Sequence, residues 1–223
     1  MTNKSFIKIS EEIKQILPSS YAHDYQIILA SASPRRKDLL LQIEENIGVE
    51  AINYNENNNL VCPLGEVSLA LAFSKAKQFI EQVPLLASRF ILTADTIVYH
   101  TNPEIILGKP KSVIKAKEML RYHLGKTHTV SSAFVLVDLL KKQIHYASDH
   151  CEISFFPENV RLIEIIEEYT RLKPPLGPMD KAGAYGYQEE IIRDNFIKSI
   201  SGDPTTIIGF PMEKFKRVWI GLG

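Results

Sequence analysis

Asp95 lies inside residues 90–99, F-I-L-T-A-D-T-I-V-Y, a run that is otherwise apolar, β-branched and aromatic. A carboxylate in such a strand costs free energy unless it is paired or binds a metal. Asp95 therefore reads as a metal ligand or general base at a strand end, or as an Asp paired with a neighbouring Lys or Arg. Residues 27–41 read I-I-L-A-S-A-S-P-R-R-K-D-L-L-L. Ser33 suits an N-cap and Pro34 the first helical position, so backbone N–H groups of the Ser31–Ser33 turn would favour an anion, phosphate above all. Arg35 and Arg36 occupy the first turn, where the macrodipole disfavours cations, which suggests a ligand with several negative charges. The alternative is an ordinary strand–helix junction with two solvated arginines. Lys109, between Gly108 and Pro110, is either a point charge offered to phosphate or a solvated loop lysine. Lys75 and Glu56 read by default as surface groups. Asp180-Lys181-Ala182-Gly183-Ala184-Tyr185-Gly186 sets small residues around a charged pair and an aromatic, a loop that lets backbone approach a ligand closely or one that is simply mobile.

These groups need elements to hold them. Residues 27–30 read as a buried strand, followed by a helix with Leu39, Leu40 and Leu41 on its apolar face. A strand is expected over 49–54 and a polar loop over 55–59. The spacing predicts a helix over 66–82, with Val67, Leu71, Phe73, Ala76 and Ile80 among its apolar positions, and a strand over 90–99. Ser112 would cap a helix to about residue 124 using Val113, Ala116, Met119 and Leu120, with Gly125 ending it. Strands follow at 127–138 and 144–156, then a helix over 157–172 with Val160, Ile163, Ile166 and Tyr169 inward. Residues 176–188 are too glycine-rich for a regular element. Residues 204–209 would lead into a last strand, and Pro211 would open a helix through Trp219. Residues 1–26 read as an appendage, with Ser10 capping a short helix of Ile13, Ile16 and Leu17 that Pro18 ends. Mixed strands and helices mean α/β or α+β.

Composition limits the function. Lys plus Arg and Asp plus Glu are 26 each, so bulk charge gives nucleic acid no foothold. Cys62 and Cys151 form neither a disulfide framework nor a zinc pattern, which fits a reducing cytoplasm. No apolar run reaches membrane-spanning length and the first residues do not read as a signal peptide, so no membrane partner is expected. Gly125-Lys126-Thr127 resembles the end of a P-loop, but position 120 is Leu and a helix precedes it. G-x-S-x-G, H-E-x-x-H and G-x-G-x-x-G do not occur. His128, at a strand start, reads as a satisfied structural histidine rather than a ligand.

In order and spacing, Ser31-x-Ser33-Pro34-Arg35-Arg36, Ala94-Asp95-Thr96, Gly108-Lys109-Pro110, Leu124-Gly125-Lys126-Thr127-His128-x-Val130, residues 180–188 and Ile208-Gly209-Phe210-Pro211 resemble the Maf family of nucleoside triphosphate pyrophosphatases. The resemblance implies a mixed, twisted sheet flanked by helices, with two lobes around a central cleft, as in inosine triphosphatases. It implies an N-terminal extension over 1–26 and a single catalytic domain over 27–223. It also implies hydrolysis of a nucleoside triphosphate to the monophosphate and pyrophosphate with a divalent cation, Mg²⁺ or else Mn²⁺. A homodimer, a house-cleaning role and a link to septum formation belong to the same expectation.

Carried over by residue, Asp95 matches the family's acid/base carboxylate and, with Glu56, its metal site; Asn55 stands where the family often has a second acid. Lys75 and Lys109 match phosphate-binding lysines, and Ser31, Ser33, Arg35 and Arg36 the phosphate loop. Asp180 and Lys181 belong to the substrate-binding loop. Arg35, Thr96 and Gln188 match positions tied to base choice, and they side with the branch that prefers dTTP and UTP. Gly202-Asp203-Pro204-Thr205-Thr206 is closer to the sister branch that prefers 7-methyl-GTP. The remaining alternative is a non-catalytic nucleotide-binding regulator of cell division.

Overall fold

The computed structural model describes residues 3–18, 24–51, 54, 62–83 and 88–222. In chain order the elements are α1 (Asn3–Gln15), β1 (Tyr25–Leu29), α2 (Pro34–Leu40), β2 (Ile47–Val49), α3 (Val67–Gln82), β3 (Ser88–Thr101), β4 (Glu104–Leu107) and α4 (Val113–His123). They continue with β5 (Thr127–Asp138), β6 (Gln143–Phe155), α5 (Val160–Tyr169), α6 (Glu190–Arg193), β7 (Ile197–Ser201), α7 (Pro204–Ile208) and α8 (Met212–Ile220). The strands form a seven-stranded sheet in the order β2-β1-β3-β5-β6-β7, with β4 paired to β3. β1 is parallel to β2 and β3, whereas β4 is antiparallel to β3 and β7 to β6. The fold is thus α/β with a mixed sheet, as the sequence implied.

The chain divides into two compact units: Met1–Asp95, Ser132–Asp149 and Gly209–Gly223 form the first, Thr96–Ser131 and His150–Ile208 the second. In the first unit, alternate residues of β1, β3 and β5 face opposite ways. Ile28, Ile91, Ala133, Val135 and Val137 pack with Phe6, Ile13, Phe73, Ala76 and Phe79 of α1 and α3. Phe90 and Phe134 instead meet Trp219 and Phe215 of α8. Strands covered on both faces need apolar residues at every position, which is why they read as unbroken apolar runs.

Four expectations change in this unit. α1 runs from Asn3, not from Ser10, whose hydroxyl donates to the Phe6 carbonyl at 2.8 Å from within the helix. Phe6 stacks on Phe73 at 5.5 Å, so this segment is part of the core rather than an appendage. The strand expected over 49–54 is β2, held at 47–49 by the register Ile27↔Ile47 and Leu29↔Val49. Leu41 is the C-cap of α2 and is exposed; Leu39 and Leu40 make its buried face. The loop expected over 55–59, with Glu56, lies outside the described residues.

The second unit has its own core, built on Val98, Leu120, Val130, Ile153, Phe155, Leu162, Ile166 and Tyr169. Ser112 caps α4 by accepting from the Lys115 N–H at 3.2 Å, and Gly125 follows with φ +70°. Asn159 caps α5 in the same way at 2.9 Å, so that helix starts at Val160 and not at 157. Val113 and Val160, expected inside, are the first residues of their helices and are exposed; Leu162 is buried in α5. The last strand is β7, which precedes residues 204–209. There the Asp203 carboxylate accepts from the Thr205 N–H at 2.9 Å and its hydroxyl at 2.6 Å, starting α7.

Candidate active site

Asp95 and Lys75 meet because two elements are pinned together one step earlier. Thr93 and Asp95 lie two apart on β3 and so point to the same side; Ala72 and Lys75 lie three apart on α3. The Thr93 hydroxyl donates to the Ala72 carbonyl at 2.8 Å. Two residues on, the Lys75 ammonium donates to Asp95 Oδ1. Both side chains are mostly buried, at 20% and 13% exposure. The Tyr54 ring lies 5.0 Å from Lys75 Nζ, a cation–π contact. Thus Asp95 is paired with a neighbouring lysine, one of the two readings that its place in an apolar strand allowed.

The Ser31–Ser33 turn is held by its neighbours. The Ala30 N–H donates to the Leu92 carbonyl, and the Ser31 N–H to that of Leu29, each at 2.9 Å. Ser33 occupies the N-cap position of α2, but its side chain makes no capping bond; its own N–H donates to Ser31 Oγ at 3.2 Å. Arg36 is a brace rather than a solvated cation. Its Nε donates to the Gly209 carbonyl at 2.9 Å and its Nη1 to Ser31 Oγ at 3.2 Å. Burial lowers the Arg36 guanidinium from its ordinary value, Asp95 opposes this, and Arg35 adds to it. An arginine stays charged regardless. The arginines' departure from helix-end electrostatics thus has a structural cause at Arg36.

In the second unit, Thr96 is half-buried on β3 while Lys109 and Gln188 are exposed. Gly108 takes no left-handed conformation, and a Cβ there would meet no atom within 4 Å, so space does not require that glycine. Lys181 is buried. Its ammonium donates to the Pro175 and Gly177 carbonyls at 2.9 and 2.6 Å and to Asp180 at 2.7 Å, and it lies 3.1 Å from Glu189. Residues 176–188 are therefore a packed loop around a buried ion network, and Lys181 points into it. A Cβ on Gly186 would come within 2.6 Å of Lys181 and 2.9 Å of Gln188, so this glycine lets both side chains lie across the backbone. Burial pushes the Tyr169 hydroxyl up, and Glu189 adds to the shift.

A divalent cation fits Asp95 by donor chemistry. Mg²⁺ takes one or two hard carboxylate oxygens and completes its octahedron with water and phosphate oxygens. Among the described residues no cluster of three His, Cys, Asp or Glu includes Asp95; the one such cluster is His100, His123 and His128. The histidines are the feature that sequence reasoning missed. They close β3, close α4 and open β5, positions too far apart in sequence to show their contact.

A family model described as Maf-like protein matches residues 26–219. A dTTP/UTP pyrophosphatase of Alkaliphilus oremlandii (strain OhILAs) is 35% identical over 191 residues, 85% of this chain and 92% of that relative. A dTTP/UTP pyrophosphatase of Bacillus mycoides (strain KBAB4) is 33% identical over 192 residues, 86% of this chain and 93% of that relative. The crystal structure of a nucleoside-triphosphatase / dITP/XTP pyrophosphatase from Mycobacterium abscessus covers 58% of this chain and 74% of that one at 15% identity and a TM-score of 0.37.

Proposed function

Because the chain belongs to the Maf family, we propose that it hydrolyses a nucleoside triphosphate, dTTP or UTP by preference, to the monophosphate and pyrophosphate. The observation that carries the chemistry is the Lys75–Asp95 pair, built on β3 and α3 inside the matched region. Water attacks the α-phosphorus, its bond to the bridging oxygen breaks, and pyrophosphate leaves. Asp95 orients the attacking water and accepts its proton. Lys75, freed in part as Asp95 is protonated, stabilises charge on the phosphate oxygens with Arg35. Arg36 holds the Ser31–Ser33 turn through Ser31 Oγ and the Gly209 carbonyl. Asp95 and Glu56 would hold a divalent cation, Mg²⁺ in this reading, which would supply further positive charge to the phosphates.

Base choice is assigned to Arg35, Thr96 and Gln188, and a phosphate contact to Lys109, by residue type and motif order. The Asp180–Lys181 pair supports the loop that carries Gln188, consistent with its inward hydrogen bonds. The segment at 202–206 that resembles the 7-methyl-GTP branch is accounted for by the cap of α7. A panel of canonical and modified triphosphates with Mg²⁺, read as pyrophosphate and monophosphate, tests the assignment. Asp95→Asn should lower turnover by at least about 100-fold while the protein still folds, which a cooperative thermal melt would show. Near wild-type turnover, or release of diphosphate nucleoside and orthophosphate, would overturn it. Preference for 7-methyl-GTP would move the chain to the sister branch.

A further inference from the structure

We propose that His100, His123 and His128 form a site for a borderline-soft divalent metal ion, Zn²⁺ above all, separate from the carboxylate chemistry at Asp95. One ring nitrogen from each histidine lies within 4.8 Å of the others. All three side chains are buried, at 3%, 0% and 2% exposure. The outer nitrogens are already anchored: His123 Nε2 bonds the Gly183 carbonyl at 3.1 Å and His128 Nε2 the Tyr185 hydroxyl at 2.7 Å. Metal-binding imidazoles are oriented in this way, by a carbonyl or hydroxyl on the nitrogen that does not bind.

The inner nitrogens are those left over. His123 Nε2 donates to a carbonyl, so His123 Nδ1 carries the lone pair, and His100 Nε2 donates to it at 3.0 Å. His128 Nδ1 is buried with no hydrogen-bond partner. A buried ring nitrogen without a partner costs free energy, and a metal ion would relieve that cost. Binding shifts the His100 proton from Nε2 to Nδ1 and replaces one imidazole–imidazole hydrogen bond with two nitrogen–metal bonds. Burial lowers the basicity of all three rings, His123 to about 3, so they stand in the neutral form that metals bind. Three imidazoles leave a fourth tetrahedral position for water or another oxygen. Nitrogen donors also separate this site from Mg²⁺, which prefers oxygen.

The ion would tie β3, α4 and β5 to the 180–188 loop through Gly183 and Tyr185. Full burial means that it enters as the unit folds or when that loop lifts. The test uses the full chain without nucleotide, so its outcome is independent of the pyrophosphatase assignment. Metal-free protein is refolded with Co²⁺ or with Zn²⁺ and dialysed against about 1 mM Mg²⁺, an ion that nitrogen sites bind weakly. The expected result is one retained equivalent and, with Co²⁺, the visible absorption of a four-coordinate ion. His100→Leu should weaken retention by about 100-fold or more, and Tyr185→Phe, which keeps the ring's packing, by about 10-fold. Thermal melts establish that each variant is folded. No retained metal in the wild type, or retention unchanged in folded Tyr185→Phe and His100→Leu, overturns the proposal.

Discussion

A single cation can be solvent-facing in a sequence and structural in the fold, and two residues here show the difference. Arg36 looks like half of an exposed basic pair, yet its guanidinium bridges Ser31 and Gly209. Lys181 looks like a loop lysine, yet its ammonium sits among two carbonyls and two carboxylates. Lys181→Met would leave Glu189, whose side chain is 6% exposed, without its counter-charge. Breaking a buried pair from one side costs about 3–5 kcal/mol. Urea unfolding at neutral pH should show that loss. An unchanged midpoint would mean that the network contributes little.

At the scale of elements, local signals carried much of the fold. Ser112, the apolar alternation of α3 and the β-branched run of β3 gave elements close to those observed, because capping and periodicity act within a few residues. Asp95 was legible for the same reason: it interrupts an apolar run. What stayed hidden depended on partners far along the chain. The strand at 47–49 is set by pairing with β1, and the helix before Ser10 by Phe6 finding Phe73. The inward turn of Arg36 depends on Gly209, and the histidine cluster on three element ends converging. α1 also makes a testable link to the site-bearing helix: besides Phe6, its Glu12 pairs with Lys77 of α3 at 3.0 Å. Phe6→Ala should cost about 3–5 kcal/mol, the range for a buried aromatic. Thermal unfolding would record it; a loss near zero would make α1 dispensable to the core.

The whole molecule should be sensitive to acid. His100, His123 and His128 are neutral when folded because burial disfavours their charged forms. Of the charged and titratable groups around them, Lys126 opposes protonation further, and the Tyr185 hydroxyl faces His128. The unfolded chain takes up protons as pH falls through about 6.5, whereas the folded chain holds out, in the case of His123 to about 3. Stability is therefore full above the unfolded value and falls below it. Each imidazole that stays neutral costs about 1.4 kcal/mol between pH 7.5 and 5.5. Denaturant titrations of the metal-free protein at those two values should differ accordingly in wild type, and less in His100→Leu. Equal stability at both would place the rings in contact with water.

The first unit draws its last segment from beyond residue 208, after every residue of the second. Arg36 must wait 173 residues for the Gly209 carbonyl that it holds. During synthesis every residue of the second unit is joined to the chain while the Ser31 turn is still unbraced. A chain stalled before residue 209 would carry every proposed catalytic group and lack the contact that braces the Ser31 turn, so synthesis past that residue itself arms the site.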